Sequence, residues 1–129
     1  MKSSSHVCLK NEKAHFDLKD RVSYGEYLQL DQVLSAQLCR SKVHDEYFFI
    51  VIHQISELWL SLILNEFSLA RSLVQKDQLG PTLKVLSRVS KAQEQLVRLW
   101  DVVSTLTPTD YLRFRDALGE ASGFQSHQY

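Results

Sequence analysis

His53 has unusual company. It sits in YFFIVIHQISELW, residues 47–59, a stretch that is otherwise almost wholly apolar. On a helix, Phe49, His53 and Glu57 recur every four residues and share one face. Aromatic and aliphatic neighbours disfavour the charged imidazole by desolvation, which suits a neutral hydrogen-bond partner or a base. Two readings stand: a core histidine satisfied by one hydrogen bond, or the one chemically active group on the wall of an apolar cavity. A second candidate is YLRFRDALGEASGFQ, residues 111–125, where Arg113 and Arg115 flank Phe114. These arginines cannot share a helical face, so one points outward and the other inward beside apolar neighbours. A guanidinium turned toward a cavity is a carboxylate receptor, because its planar fork matches two oxygens. The alternative is two solvated arginines, one paired with Asp116 or Glu120. The small residues ASG that follow would let backbone approach a flat ligand closely. Tyr24 and Tyr27, at i and i+3, read from spacing as core aromatics.

Other chemistries find little to stand on. The histidines are His6, His15, His44, His53 and His127, and no pair makes HxxxH or HExxH. A di-metal carboxylate bundle needs ExxH on facing helices, and only Glu12–His15 has that spacing. No phosphate-binding GxxxxGK, no GxSxG and no dinucleotide fingerprint occurs, and no nucleophile has a base at a suitable spacing. Lys+Arg and Asp+Glu are 15 each, so no net field draws the chain to nucleic acid or an anionic membrane. The longest uninterrupted apolar run is Tyr47–Ile52, far short of the roughly 20 residues that span a bilayer. MKSSSHVCLK lacks the apolar segment of a secretory signal, and Cys8 and Cys39 are isolated thiols. A reducing compartment, the cytosol, is the expected location.

The elements that must position these residues are helical. At 129 residues, 44% hydrophobic and 23% charged, the chain reads as one globular domain. Residues 1–20 are polar and aperiodic, a flexible N-terminal arm; residues 21–129 form the helical domain. SYGEYLQLDQVLSAQ, residues 23–37, opens with Ser23 and Glu26 at capping-box spacing. A long helix starts near His44–Asp45 and runs to about Gln75, apolar on nearly all sides in its first half and therefore expected to be buried. Gly80 and Pro81 are expected to end it, with Pro81 in the first turn of an amphipathic helix over residues 82–105. Thr107, Pro108 and Asp110 then read as N-cap, N1 and N3 of a short helix, YLRFRDAL, stopped by Gly119. No run alternates with period two. The expected fold is all-α, with long antiparallel helices and no internal repeat.

Taken together, SYGEYLQLDQVLSAQ, HDEYFFIVIHQISELWL, LTPTDYLRFRDALGEASGFQS and the closing QY resemble, in order and spacing, the heme-containing tryptophan 2,3-dioxygenases. The resemblance covers about residues 21–129. It implies an all-α helical bundle around heme b, and insertion of both atoms of O2 across the indole 2,3-bond of L-tryptophan to give N-formylkynurenine, in tryptophan degradation by the kynurenine pathway. His53 matches the family's distal histidine, which contacts the indole N–H. Phe49 matches an aromatic wall over heme and indole. Arg115 matches the arginine that grips the substrate carboxylate, and Tyr111 its companion. Trp100, Leu118, Ser122, Gly123 and Tyr129 match heme-contacting positions. Tyr24, Tyr27 and Leu28 match residues that reach into a neighbouring subunit's pocket, which implies a homotetramer. His127 departs from the apolar or aromatic residue usual at its position. The family pattern continues beyond Tyr129 for about as many residues again and there supplies the proximal histidine, so no iron ligand is expected in this chain. A companion C-terminal chain would complete the site. The competing reading is a short heme-free helical binding or assembly module derived from that family.

Overall fold

The computed structural model describes residues 22–128. Its elements are α1 (Tyr24–Leu28), α2 (Leu30–Val33), α3 (His44–Gln75), α4 (Leu79–Val103), α5 (Pro108–Leu112), α6 (Arg115–Leu118) and a single 3-10 turn, Gly123–Gln125. Among the described residues there is no strand, as the sequence leads one to expect. The chain divides into two compact units, Met1–Ala36 and Gln37–Tyr129. The sequence-based boundary, at residue 20/21, lies outside the described residues.

In the first unit, Ser23 caps α1: its hydroxyl accepts from the Glu26 N–H, and the Glu26 carboxylate accepts from the Ser23 N–H at 2.9 Å. The helix then breaks where a continuous one was expected. Gln29 adopts a left-handed φ of 53°, and its side-chain amide donates to the Glu26 carbonyl at 2.5 Å. That bond satisfies a helix-end carbonyl and offsets part of the strain of a non-glycine residue in this region.

The second unit is organised by α3 and α4. α3 ends in a Schellman motif at Asp77 (φ 56°): Gln78 N–H donates to the Leu73 carbonyl at 2.9 Å and Asp77 N–H to the Val74 carbonyl at 3.0 Å. The stop therefore lies before Gly80 and Pro81, not at them. Both fall in the first turn of α4, where the N–H that proline lacks has no helical partner anyway. Buried positions recur at three and four residues on the facing sides: Ile52, Ser56, Ile63, Glu66 and Ala70 on α3, Thr82, Val85, Val89 and Ala92 on α4. Ile63, Val89 and Ala92 form the centre, with Trp59, Leu62 and Leu96 packed around them. Glu66, 5% exposed, is buried beside this core and accepts from Arg88 at 2.8 Å.

The expectation that the first half of α3 is buried holds only in part: Glu46, Ile52 and Ser56 are buried, but Tyr47, His53 and Leu58 are exposed. Only α4 runs along its length, and Tyr47, Leu58, Leu64, Phe67, Leu69 and Val74 are exposed. By length and composition alone α3 could cross a membrane. The reading from uninterrupted apolar runs missed this, because single polar residues interrupt a helix that is apolar on average. At its N-terminal end, Glu46 is 1% exposed and folds the preceding loop onto the helix. It accepts from the Arg40 and Ser41 N–H groups at 2.7 and 2.6 Å. Those bonds, Arg40's first, hold its carboxyl below the usual range.

Candidate functional site

Beyond α4, the chain returns to α3 and makes a pocket there. Thr107 caps α5 as its sequence spacing implies, with Pro108 first in the helix and Asp110 closing the box. The single helix expected over 111–118 is instead two, α5 and α6, separated at Arg113–Phe114. The break turns Phe114 inward, to 1% exposure. There Phe49, Tyr111 and Phe114 pack as a trio, with ring centroids 5.5–5.8 Å apart and the two Phe114 pairs edge-on, a favourable quadrupole arrangement. Arg113 is exposed and Arg115 half-buried, the division expected of arginines flanking an inward phenylalanine.

Gly119 then reverses the chain. Its φ of 58° and ψ of −128° suit the first central position of a type II′ turn, closed by Ala121 N–H to the Leu118 carbonyl at 3.1 Å. Glycine is strongly favoured there. The reversal lays residues 121–126 over the face of α3 that carries His53. The resulting open pocket has a volume of about 360 Å3. α3 contributes Phe49, Ile50, His53, Gln54 and Glu57, and the returning segment contributes Leu118, Ala121, Ser122, Gly123, Gln125 and Ser126. A smaller pocket of about 150 Å3 lies on the other side of His53, lined mainly by α3 and by Leu96, Leu99, Trp100 and Val103 of α4. His53 borders both.

His53 is exposed, not a core residue. Its ring lies 4.1 Å from that of Phe49, and Nδ1 is 2.8 Å from the Phe49 carbonyl oxygen. A carbonyl oxygen can only accept, so this bond requires the proton on Nδ1 and leaves Nε2 of the neutral ring as an acceptor. Glu57, one turn on, accepts from Gln128 Nε2 at 2.5 Å. Its carboxyl is held below the usual range, first by Gln128 and then by Ser126.

The sequence-derived residues divide into groups. Phe49, His53, Leu118, Ser122 and Gly123 line the same pocket. Tyr111 supports it from behind through Phe49. Trp100 lines the smaller pocket and is 69% exposed. Arg115 does not line the larger pocket; it donates to the Gly119 carbonyl at 2.9 Å, at the end of its own helix. Tyr24, Tyr27 and Leu28 belong to the first unit, the two tyrosines 76% and 78% exposed and thus not core aromatics. Tyr129 and the Glu12–His15 pair lie outside the described residues. Sequence reasoning missed Ile50, Gln54, Gln125 and Ser126 as wall residues, and the Gln128–Glu57 tie. Helical spacing pairs Gln54 with Ile50, one turn earlier, and could have found both; a bond spanning 71 positions leaves no periodic signal. Among the described residues, no group of three His, Cys, Asp or Glu side chains could hold a metal ion.

A family model described as Tryptophan 2,3-dioxygenase matches residues 10–129. The chain belongs to the tryptophan 2,3-dioxygenase family. It is 52% identical over 129 residues to a tryptophan 2,3-dioxygenase of Bacillus thuringiensis (strain Al Hakam), covering all of this chain and 46% of the relative. It is 55% identical over 117 residues to that of Exiguobacterium sibiricum, covering 91% and 42%. To that of Bradyrhizobium sp. it is 51% identical over 118 residues, covering 92% and 42%. The chain thus spans somewhat less than half the length of the curated tryptophan 2,3-dioxygenases it matches. Its all-α architecture agrees with what the family resemblance implies.

Proposed function

We propose that this chain supplies the substrate-facing side of a heme-dependent dioxygenase that inserts O2 across the indole 2,3-bond of L-tryptophan, giving N-formylkynurenine. The observation that carries the reading is the tautomer of His53. With Nδ1–H committed to the Phe49 carbonyl at 2.8 Å, the Nε2 lone pair of a neutral His53 is left to accept from a ligand in the pocket that His53 lines. An indole N–H is a donor with no acceptor of its own and complements that lone pair.

Heme fits the walls. Phe49, Ile50, Leu118 and Ala121 offer apolar surface to a flat macrocycle, and Ser122 and Gly123 offer a slim edge. In this reading Phe49, Leu118, Ser122 and Gly123 hold the group, with Trp100 and Tyr129 at its margins. Bound heme iron supplies the activation of dioxygen; the protein orients the substrate and keeps the site dry. Among the described residues no other histidine lines either pocket; following the family resemblance, we assign the iron's protein ligand to sequence outside these 129 residues, in the same or a companion chain. His53 accepts the indole N–H and so fixes which edge of the indole faces the reacting oxygen. Phe49 excludes water. Arg115 takes the substrate carboxylate by exchanging its bond to Gly119 for a bidentate one, with Tyr111 beside it. Tyr24, Tyr27 and Leu28, exposed here, are assigned to the pocket of a neighbouring subunit in a homotetramer, and the enzyme to the cytosol.

The test is turnover and heme content of the assembled enzyme carrying His53→Ala. Loss of one orienting hydrogen bond predicts turnover lowered about tenfold with heme content retained. Loss of heme instead would make His53 a structural or iron-binding residue and overturn the assignment.

A further inference from the structure

The segment that roofs the larger pocket, residues 119–126, is attached to α3 at both ends. At its start the attachment is the Phe49–Tyr111–Phe114 trio, which leads directly into α6 and Gly119. At its finish it is Gln128. One side-chain amide there donates to both acceptors of a single residue, the Glu57 carboxylate at 2.5 Å and the Glu57 carbonyl at 3.0 Å. Between the two anchors the segment is braced within itself. Ser122 caps the 3-10 turn, its N–H donating to Gln125 Oε1 at 3.0 Å, and Gln128 N–H donates to Ser126 Oγ at 3.1 Å. Glu57 lies one turn beyond His53 on the same face of α3.

We propose that Gln128 is a positioning residue: by clamping Glu57 it holds the wall Ala121–Gly123 at a fixed height above His53, and so sets the width of the slot that receives the indole. Three physical points support this. The bond to an ionised carboxylate is of the stronger, charge-assisted kind. Ser126, a residue of the same returning segment, also stabilises the same carboxylate. A short wall built from Ala, Ser and Gly has little side-chain packing of its own to fix its position, so its height depends on its anchors. With one anchor lost, the binding-competent arrangement is populated only part of the time, and apparent affinity falls by that fraction. Chemistry in the fraction that does bind is unchanged, because Gln128 does not line the pocket.

This proposal rests on the tryptophan-oxidising reading, and its test separates the two. Amide hydrogen exchange and steady-state kinetics with L-tryptophan are measured on the assembled heme enzyme, as wild type, Gln128→Ala, Glu57→Ala and the double variant. Gln128→Ala is expected to raise exchange in residues 119–128 about tenfold, the weight of one charge-assisted hydrogen bond, with α3 and α4 unchanged. KM for tryptophan is expected to rise in proportion to the loss of the binding-competent fraction, while kcat changes less than about twofold. Adding Gln128→Ala to Glu57→Ala should raise exchange less than Gln128→Ala does in the wild type, since only the bond to the Glu57 carbonyl is left to lose. Unchanged exchange, additive effects, exchange raised throughout α3 and α4, or a fall in kcat with KM constant would each overturn the clamp. A wild-type enzyme that does not oxidise tryptophan would overturn the functional reading instead, and the exchange data would still judge the clamp.

Discussion

His53 and Arg115 are both committed to backbone carbonyls, yet the consequences differ. The Nδ1 bond of His53 leaves Nε2 of the neutral ring available, so the residue needs no rearrangement for the role proposed for it. The bond from Arg115 to Gly119 occupies part of the fork needed for a carboxylate. Binding must therefore exchange one partner for another, and the net gain is smaller than for an unengaged guanidinium. Arg115→Ala is accordingly expected to raise KM for tryptophan about tenfold with little change in kcat; an unchanged KM would place Arg115 outside the substrate site. Two carboxylates give a pH dependence at this scale. Glu46 and Glu57 are both held below the ordinary carboxylate range in the folded chain, Glu46 chiefly by the Arg40 N–H and Glu57 chiefly by Gln128. A lowered folded pKa means a contribution that is complete above the unfolded value and disappears as pH falls through the folded one. The thermal midpoint should therefore drop as pH falls below the carboxylate range, and Glu46→Gln should flatten that drop. A variant as acid-sensitive as wild type would show that Glu46 contributes nothing through its charge.

Among elements, the α3–α4 pair carries the stability and the turns carry the site. Ile63 sits at the centre of the only extended helix interface among the described residues. Ile63→Ala is expected to cost about 2–4 kcal/mol in denaturant unfolding, while a cost under about 1 kcal/mol would mean this interface is loosely packed. Gly119→Ala tests the turn. An added Cβ meets no neighbour within 4 Å, so any loss comes from the positive φ alone, about 1 kcal/mol. Much of this layer was legible. Ser23–Glu26 and Thr107–Asp110 are capping boxes in both sequence and structure, and α3 has the bounds its periodicity implies. The illegible parts are the places where non-glycine residues turn the chain: Gln29 and Asp77 at positive φ, and the break at Arg113–Phe114. None carries a Gly or Pro signal, and each is decided by hydrogen bonds or by burial of an aromatic ring. The pocket itself was half legible. Helical spacing groups Phe49, His53 and Glu57, but nothing local shows that residues 121–128 fold back across them.

At the scale of the whole molecule, the apolar surface is the main fact. α3 presents Leu58, Leu64, Phe67 and Leu69 outward, and Tyr24, Tyr27 and Leu34 of the first unit are exposed as well. Apolar exposure of this extent marks surfaces that other protein covers. That agrees with a functional unit larger than this chain, as proposed for a tetrameric enzyme whose relatives are more than twice as long. The helix that passes as a membrane span by composition also carries the buried Glu66, paired with the exposed Arg88 of α4, and a polar-edged pocket on one side.

The central claim is that the pocket beside His53 brings an indole amino acid next to heme. The visible absorption spectrum of the assembled heme enzyme, recorded before and after adding L-tryptophan, tests it most directly. The account predicts a sharp Soret band that shifts saturably with tryptophan. A Soret band indifferent to tryptophan at any concentration would contradict it.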